Sequence, residues 1–490
     1  MMNRYLYSVA SAVALLSGCM SLPSVGPDYE EPDFEMPENP LPDAGFPTSD
    51  LTAACEYRPA ESNDDSRVVV STNSMEKWWT RFDDRVLVDL VEGAVSNNVN
   101  YRIAQARLEQ SNWELIGSYA AFLPGLEAEG NAIRSVTRDN NKYLRSSKFG
   151  AGLNMTWEID IFGGSRRATE AALAAAEAAG WTVGDAWVSL VSQIGVQYIN
   201  LRTTQALIDV ARTNLVLQSE TYDILKSRLD SGIGDELAVN QCAYIVEQTR
   251  ARIPQLLAQE EALKNAIAVL AGVVPGQMHD ILKPVTVKRD WLLAPHKVDA
   301  LALNMIRSRP DVKAAERNLA KEVARVGIAE SMWYPKLFIN GGVGMESSKF
   351  SKLFDSDSFY ASIGPSISWP FFQGGNVYAQ IKVAEARVDE ACLAYELSLQ
   401  NAYGEVRDAY SAYTQEYHRY QALKSAVKAA SDAVSISNDL YKNGLKDFNN
   451  VLDAQRSRLQ LEEEYVVSRG QITLNLIELY RALGGGLAVQ

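Results

Sequence analysis

The sequence predicts a mainly helical fold built by internal duplication, with four amphipathic strands of the kind that wall a membrane β-barrel. Three observations lead there. The first is a long helical stretch that occurs twice, from Gly163-Gly164 to Gly232 and from Gly374-Gly375 to Gly444. In the first copy every seventh residue is apolar: Trp187, Ile194, Leu201, Ile208, Leu215, Tyr222 and Leu229. The same phase in the second copy gives Leu399, Val406, Tyr413, Tyr420, Val427, Val434 and Tyr441. A strict seven-residue period marks the seam of a left-handed supercoil, and about 65 helical residues reach roughly 100 Å. The second observation is the recurrence of whole landmarks 211 to 213 residues apart, such as Phe122-Leu123-Pro124 and Trp333-Tyr334-Pro335. That offset marks a true repeat, which has to be found before domains are counted. The third is period-two alternation just before each rod.

Composition removes several function classes. The 490 residues carry a net charge of −14, with 47 basic and 61 acidic side chains. A nucleic-acid partner would want a basic face, so none is expected. The three histidines, His279, His296 and His418, show no metal-ligand spacing. Four cysteines, Cys19, Cys55, Cys242 and Cys392, form no CxxC. No nucleophile–base arrangement is visible, so the chain does not read as an enzyme. No metal or cofactor is expected.

Residues 1–18 read as an export signal. Arg4 supplies the positive flank, and Tyr5 to Leu16 is an apolar core too short to span a bilayer. Residues 19–75 form a tether rich in Pro, Asp, Glu, Ser and Asn, with little periodicity. Cys55 within it has no sequence-local partner.

The first repeat covers 76–272. Trp78-Trp79 and Phe82 open a helical region that runs through Leu87, Leu90, Val91, Ala94, Val95, Ala104, Leu108 and Leu115, and stops at Pro124. Leu126 to Ile133 is a weak strand candidate, followed by a polar loop, Arg138 to Lys142. Phe149, Ala151, Leu153, Met155, Trp157 and Ile159 then alternate with Gly150, Gly152, Asn154, Thr156, Glu158 and Asp160. Such a strand fits a barrel wall with lipid on one side and a lumen on the other. A soluble antiparallel sheet on a core gives the same alternation, and the residues alone leave both open. The Ala-rich run Ala168 to Ala179 favours helix. Gly232 caps the rod, and Asp235-Glu236 starts a return helix ending at Leu270-Ala271-Gly272. Residues 273–295 connect the halves.

The second repeat covers 296–485 and leaves a tail, 486–490. A helix runs from Asp311 to Met332, followed by alternation in Leu337 to Met345 and in Phe359 to Trp369. The second rod and a return helix ending at Leu483-Gly484-Gly485 complete the unit. Four amphipathic strands cannot close a barrel, and open edges in lipid cost several kcal/mol per unsatisfied group. A barrel therefore needs at least two chains, and three would give twelve strands. Cys242 and Cys392 fall on predicted helices and read as small buried residues.

The chain resembles the outer membrane factors of bacterial tripartite efflux pumps, the TolC-like family, nearest its OprM and NodT lipoprotein branch. The resemblance is carried by Leu16-Ser17-Gly18-Cys19, Val25-Gly26-Pro27-Asp28-Tyr29, Trp78-Trp79 with Phe82-Asp83, and Arg309-Pro310-Asp311 with Ala315-Glu316. Tyr334-Pro335, Leu452-Asp453-Ala454-Gln455-Arg456 and Ala482-Leu483-Gly484-Gly485 complete it. It implies a homotrimer whose shared twelve-stranded outer-membrane barrel continues into a hollow helical tube across the periplasm. It also implies a periplasmic adaptor and an inner-membrane efflux transporter as partners, with drugs or other toxic small molecules as cargo. A protein-exporting duct of the same shape and a structural coiled-coil lipoprotein are the rival readings. The Leu16–Cys19 lipobox implies cleavage before Cys19, acylation of that residue, and, with Met20 next, sorting to the outer membrane. The acidic stretch from Leu41 to Ser74 departs from the family pattern.

By the same resemblance Asp453 and Arg456 become residues of a periplasmic gate, with Asn449 one turn earlier on the same face. Three copies of Asp453 would form a carboxylate ring that favours cations. A solvated Asp–Arg pair at i, i+3 is the plain alternative. The rod ends imply adaptor docking near Lys226, Arg228, Gly232, Lys442, Gly444 and Lys446. These cations also suit ordinary helix C-termini.

Overall fold

The computed structural model describes residues 24–32, 34, 77–139, 142–284 and 306–485. The signal, Cys19, Cys55, His296, most of the tether, the later part of the connection and the tail lie outside them.

A 3₁₀ turn, Trp78–Phe82, leads into α1 (Arg85–Asn97) and α2 (Val99–Tyr119). Strands β1 (Gly125–Asp139) and β2 (Lys142–Ile159) follow, then α3 (Gly164–Asp230) and α4 (Glu236–Leu270). The second half runs α5 (Pro310–Ser331), β3 (Lys336–Ser347), β4 (Phe359–Ser368), α6 (Asn376–Lys442) and α7 (Phe448–Ala482). The rods α3 and α6 are each 67 residues and the return helices α4 and α7 each 35. Rods start at 164 and 376, returns at 236 and 448, an offset of 212 in both cases. Each rod spans roughly 100 Å.

The heptad seam is where the rods bury themselves. Trp187, Ile194, Leu201 and Ile208 are buried in α3, as are Leu399, Val406, Tyr413, Tyr420 and Val434 in α6. The main core sits at the waist. Trp78 stacks on Tyr480 at 5.5 Å and Trp79 meets Trp187 at 5.7 Å, against Leu87, Leu90, Tyr198 and Ile477. Gly195 makes room for this: a Cβ there would lie 2.8 Å from the Trp78 ring.

The structure departs from the expected elements in two places. The single helix expected from Trp78 to Phe122 is a 3₁₀ turn and two helices, broken at the extended residue Asn98. Asn98 Oδ1 caps α2 by accepting from Tyr101 N at 2.9 Å, while its Nδ2 donates to the Leu270 carbonyl at 2.8 Å. The expected polar loop Arg138–Lys142 is instead the end of a long hairpin, with β1 paired to β2 out to residues 139 and 142. Its polar tip breaks the apolar alternation without breaking the ladder.

The second half closes its own return helix in the same way. Arg309 precedes α5, and its Nη1 donates to the Ala482 carbonyl at 2.7 Å. Leu270 and Ala482 are the last residues of the two return helices, whose final carbonyls have no partner within the helix. Arg309 also forks onto Asp311 at 3.0 and 2.8 Å and reaches Glu405 at 2.8 Å, with its side chain 5% exposed. Nearby, burial pushes the Asp185 carboxyl up, helped by Asp311 and opposed by Arg309 and Arg481.

Residues 24–32 and 34 run as a strap against the helices. Val25 N donates to the Phe162 carbonyl at 3.1 Å, where β2 turns into α3. Arg167 donates to the Val25 and Gly26 carbonyls, each at 3.0 Å, and pairs with Asp28 at 2.8 Å. Gly26 has φ +91°, and a Cβ there would fall 2.4 Å from the Gly327 Cα. Tyr29 donates to Glu316 at 3.4 Å beneath Arg317, and Phe34 packs on Tyr395 at 5.6 Å. This is the physical content of Val25-Gly26-Pro27-Asp28-Tyr29.

Arg309→Ala removes a buried fork, leaves Asp311 and a helix end without that donor, and leaves Glu405 with Arg481 alone, at 3.4 Å. The carboxylates are partly exposed, so the loss should fall at the low end for a broken buried pair, about 3 kcal/mol. Thermal unfolding of the purified protein in detergent checks this.

Candidate functional site: the strand wall and the helical tips

The four strands form one antiparallel sheet in the order β1-β2-β3-β4. Its register aligns the apolar alternation of all four. Met155 lies opposite Leu126 and Gly341, and Gly341 opposite Ile363. Leu153 lies opposite Ala128 and Val343, and Val343 opposite Ala361. One face therefore carries a continuous apolar band that none of the described residues covers: Leu126 is 72% exposed, Ile363 78% and Ile367 72%. A soluble sheet would rest this face on a core.

The other face is polar. Asn154 donates to Glu129 at 2.8 Å, Asn340 to Ser366 at 2.6 Å, and Lys336 pairs with Glu158 at 2.9 Å. Tyr360 lies across Gly152 and Gly344, where an added Cβ would meet its ring or hydroxyl at 2.9 to 3.0 Å. At the helical end of the sheet stand aromatics with a wet end. Trp157 Nε1 donates to the Phe122 carbonyl at 3.0 Å, and Trp369 Nε1 to the Trp333 carbonyl at 3.1 Å. Indole rings placed so are typical of a membrane interface.

At the far end of the rods are two equivalent turns. Gly232 (φ +75°) and Gly444 (φ +68°) adopt the left-handed conformation that ends a helix cheaply only as glycine. Ile233 N bonds back to the Arg228 carbonyl and Leu445 N to that of Leu440, at 3.1 and 2.9 Å. Lys226, Lys442 and Lys446 are exposed. Arg228 is not a free cation: its guanidinium sits 5.3 Å over the Tyr441 ring, joining the two tips. Sequence reading passed over Ile233 and Leu445, 71% and 68% exposed at matching places in these turns.

Asn449, Asp453 and Arg456 lie exposed on the first turns of α7. Asp453 and Arg456 pair at 3.6 Å within the helix. Arg456 also covers the Tyr244 ring of α4 at 5.2 Å, so the pair is tied across to the other return helix. Behind Arg456 is a cleft of about 510 Å³ lined by Gln218, Tyr244, Arg252 and Glu463 among others. Arg252 bridges it to Glu463 at 2.8 Å. Burial pushes the Glu463 carboxyl up, with Arg252 opposing. Tyr244 was findable, because it stands 212 residues before Arg456. Arg252 and Glu463 stand 211 residues apart, one short of that offset, and no motif marked them.

Elsewhere, Cys242 is buried and its thiol is pushed up to about 11 by burial. Cys392 is only half-buried, unlike the expectation, because it packs at the margin of the cluster around Tyr395 and Leu399 and not inside it. Among the described residues no group of His, Cys, Asp and Glu is placed to hold a metal.

An uncovered apolar band over a polar face, on a sheet with two open edges and a rod of roughly 100 Å below it, defines an outer-membrane channel closed by more than one copy of the chain. The family model for outer membrane efflux proteins matches residues 90–273 and 302–485, and the chain belongs to that family, the exit ducts of tripartite efflux pumps. It is similar to outer membrane protein OprJ of Pseudomonas aeruginosa, 29% identical with 84% of this chain and 86% of that one covered. Nodulation protein T of Rhizobium leguminosarum bv. trifolii is 29% identical, with 90% and 89% covered. The solved outer-membrane channel OprN superposes with a TM-score of 0.81 at 29% identity, covering 94% of this chain and 99% of that one. The protein is a channel and not an enzyme.

Glu463→Gln gives a pH test of the cleft. A carboxyl raised in the folded state favours folding below its ordinary value of 4.5 and loses that contribution as pH rises through the raised value. The variant should therefore melt higher than the parent near pH ~7 and converge with it toward pH ~4. Parallel melting curves across that range would contradict the assignment.

Proposed function

We propose that this duct passively carries small toxic compounds, drugs among them, handed to it by an inner-membrane efflux transporter through a periplasmic adaptor protein. The polar inner face of the sheet, continuous with rods long enough to reach across the periplasm, supports this reading. Small polar and glycine positions line that face, which suits loose passage over tight recognition. Nothing in the chain breaks bonds. The tips at Gly232 and Gly444, with Lys226, Arg228, Lys442 and Lys446 around them, are the proposed adaptor contact.

The proposed gate is the Asn449–Asp453–Arg456 face of α7. In a trimer three such faces meet at the axis, and three carboxylates at close range repel unless each has a cation nearby. Arg456 supplies that cation, and Tyr244 holds it in place. The chain is also proposed to be lipid-anchored through Cys19. Val25 is fixed at the base of the sheet, and the six residues from Cys19 to Val25 reach at most about 20 Å. That keeps an acyl chain on Cys19 within range of the inner leaflet.

Replacing Asp453 and Arg456 together by Ala should raise single-channel conductance in planar bilayers several-fold, and an unchanged, mostly closed conductance would remove the gate. Cys19→Ser should abolish incorporation of radiolabelled palmitate by growing cells. Label retained in that variant would place the lipid elsewhere.

A further inference from the structure

The first hairpin stands taller than the second. Ser347, the last residue of β3, lies opposite Phe149, but β1 and β2 run on together to residues 139 and 142. The lipid-facing positions of this extension continue the parity of the apolar band. On β1, Leu126, Ala128, Gly130 and Ala132 give way to Arg134, Val136 and Arg138. On β2, Phe149 gives way to Ser147, Arg145 and Tyr143.

The height of this change can be placed. Trp157 marks the periplasmic interface. From there to Arg145 is twelve residues, about 40 Å along a strand. At the usual barrel tilt of about 40° this rises roughly 30 Å, the thickness of the hydrocarbon core. Arg145 and Arg134 therefore stand where the outer leaflet's headgroups begin. Deeper on this face an arginine would destabilise the barrel; at this level it is tolerated.

Arg145 lies opposite Val136 and Arg134 opposite Ser147, so the two arginines are diagonal neighbours across the hairpin. Such neighbours stand about 7–8 Å apart. Both are exposed. None of the six lipid-facing positions from 134 to 138 and 143 to 147 is a carboxylate. Among the described residues, Glu346 pairs with Lys148 at 2.8 Å on the opposite face. Two like charges held this close favour an anion between them, and guanidinium groups match a phosphate with two parallel N–H donors each.

We propose that Arg134 and Arg145, with Arg138 above them, form a binding site for the phosphate groups of outer-leaflet lipid. The source is the lipid and not free phosphate because the site is the direct upward continuation of the acyl-facing band. A molecule whose chains lie on Leu153 and Ala132 carries its headgroup to these arginines. The inference rests on the outer-membrane placement of the strands and not on what the duct conducts.

The test uses the purified full-length trimer in phosphatidylethanolamine nanodiscs. A bis-phosphorylated glucosamine-disaccharide lipid is titrated in, alongside its phosphatase-treated form, and bound lipid is counted by native mass spectrometry. The wild type should prefer the phosphorylated form, and Arg134→Ser/Arg145→Ser should weaken its binding on the order of tenfold. Lys148→Ser, on the lumen face, should leave it unchanged. Equal binding of the two lipid forms by the wild type, or wild-type binding by the double variant, overturns the proposal. The wild-type comparison decides the matter even where the double variant fails to assemble. A wild type that conducts in bilayers but shows no phosphate preference overturns the lipid site alone. One that does not insert overturns the membrane placement with it.

Discussion

A strand edge in hydrocarbon has no water to bond to, and this molecule has two such edges. β1 and β4 each present a row of backbone donors and acceptors on the side away from the sheet. Leaving them open in lipid costs several kcal/mol per group, more than a domain's whole stability once summed. The four strands cannot relieve this by pairing β1 with β4, because four are too few to close a barrel. The remedy has to be another copy of the chain. Three copies bring twelve strands, and the same threefold axis that closes the barrel gathers the rods beneath it into a ring. Hollow tube and barrel are thus consequences of one pairing requirement.

The duplication makes the ring regular. Two rods of equal length and two return helices of equal length give six near-equivalent helical hairpins per trimer. Equal lengths are useful only if both hairpins are also held at the same height, and the waist does this. Asn98 closes the end of α4 and Arg309 closes the end of α7, each by a side-chain donor to the last carbonyl. The two solutions differ in strength. The Asn98 bond is made beside the Trp78–Trp187 core, where packing already fixes α4. The Arg309 bond is made in a smaller cluster, and there the same side chain gathers Asp311 and Glu405 as well. Charge replaces packing where apolar contact is thinner.

Much of this was legible because the decisive signals are periodic. Seven-residue spacing located Trp187 through Ile208 as a buried seam, and two-residue spacing placed Leu153 and Ile363 on one face. Both periods are properties of a regular backbone and can be read without knowing what packs against it. The break at Asn98 was not legible, since asparagine inside a helical pattern looks like any polar surface residue until its partner, Leu270, is known. The long hairpin was missed for a related reason. Beyond Ala132 the strand leaves the membrane, its outer face no longer needs apolar residues, and alternation stops while hydrogen bonding continues. At the tips, Asp453 and Arg456 came from family likeness, whereas Arg252 and Glu463 meet only through the approach of α4 to α7.

The two hairpins share a backbone but not a tip. Where the second repeat has Asn449, Asp453 and Arg456, the first has Leu237, Gln241 and Tyr244 at the same offset of 212. With an acid at position 241 as well, a trimer would gather six carboxylates at the proposed gate in place of three. Repulsion grows with the number of like-charged pairs, so a sixfold ring would be far harder to hold closed than a threefold one. The divergence also supplies the restraint. Tyr244, standing in the first repeat where Arg456 stands in the second, offers its ring to that very guanidinium at 5.2 Å. The contact therefore joins two positions that correspond in the two repeats. One copy has become the charge and the other the surface that holds it, which gives the proposed gate a threefold seal inside a wall of six hairpins.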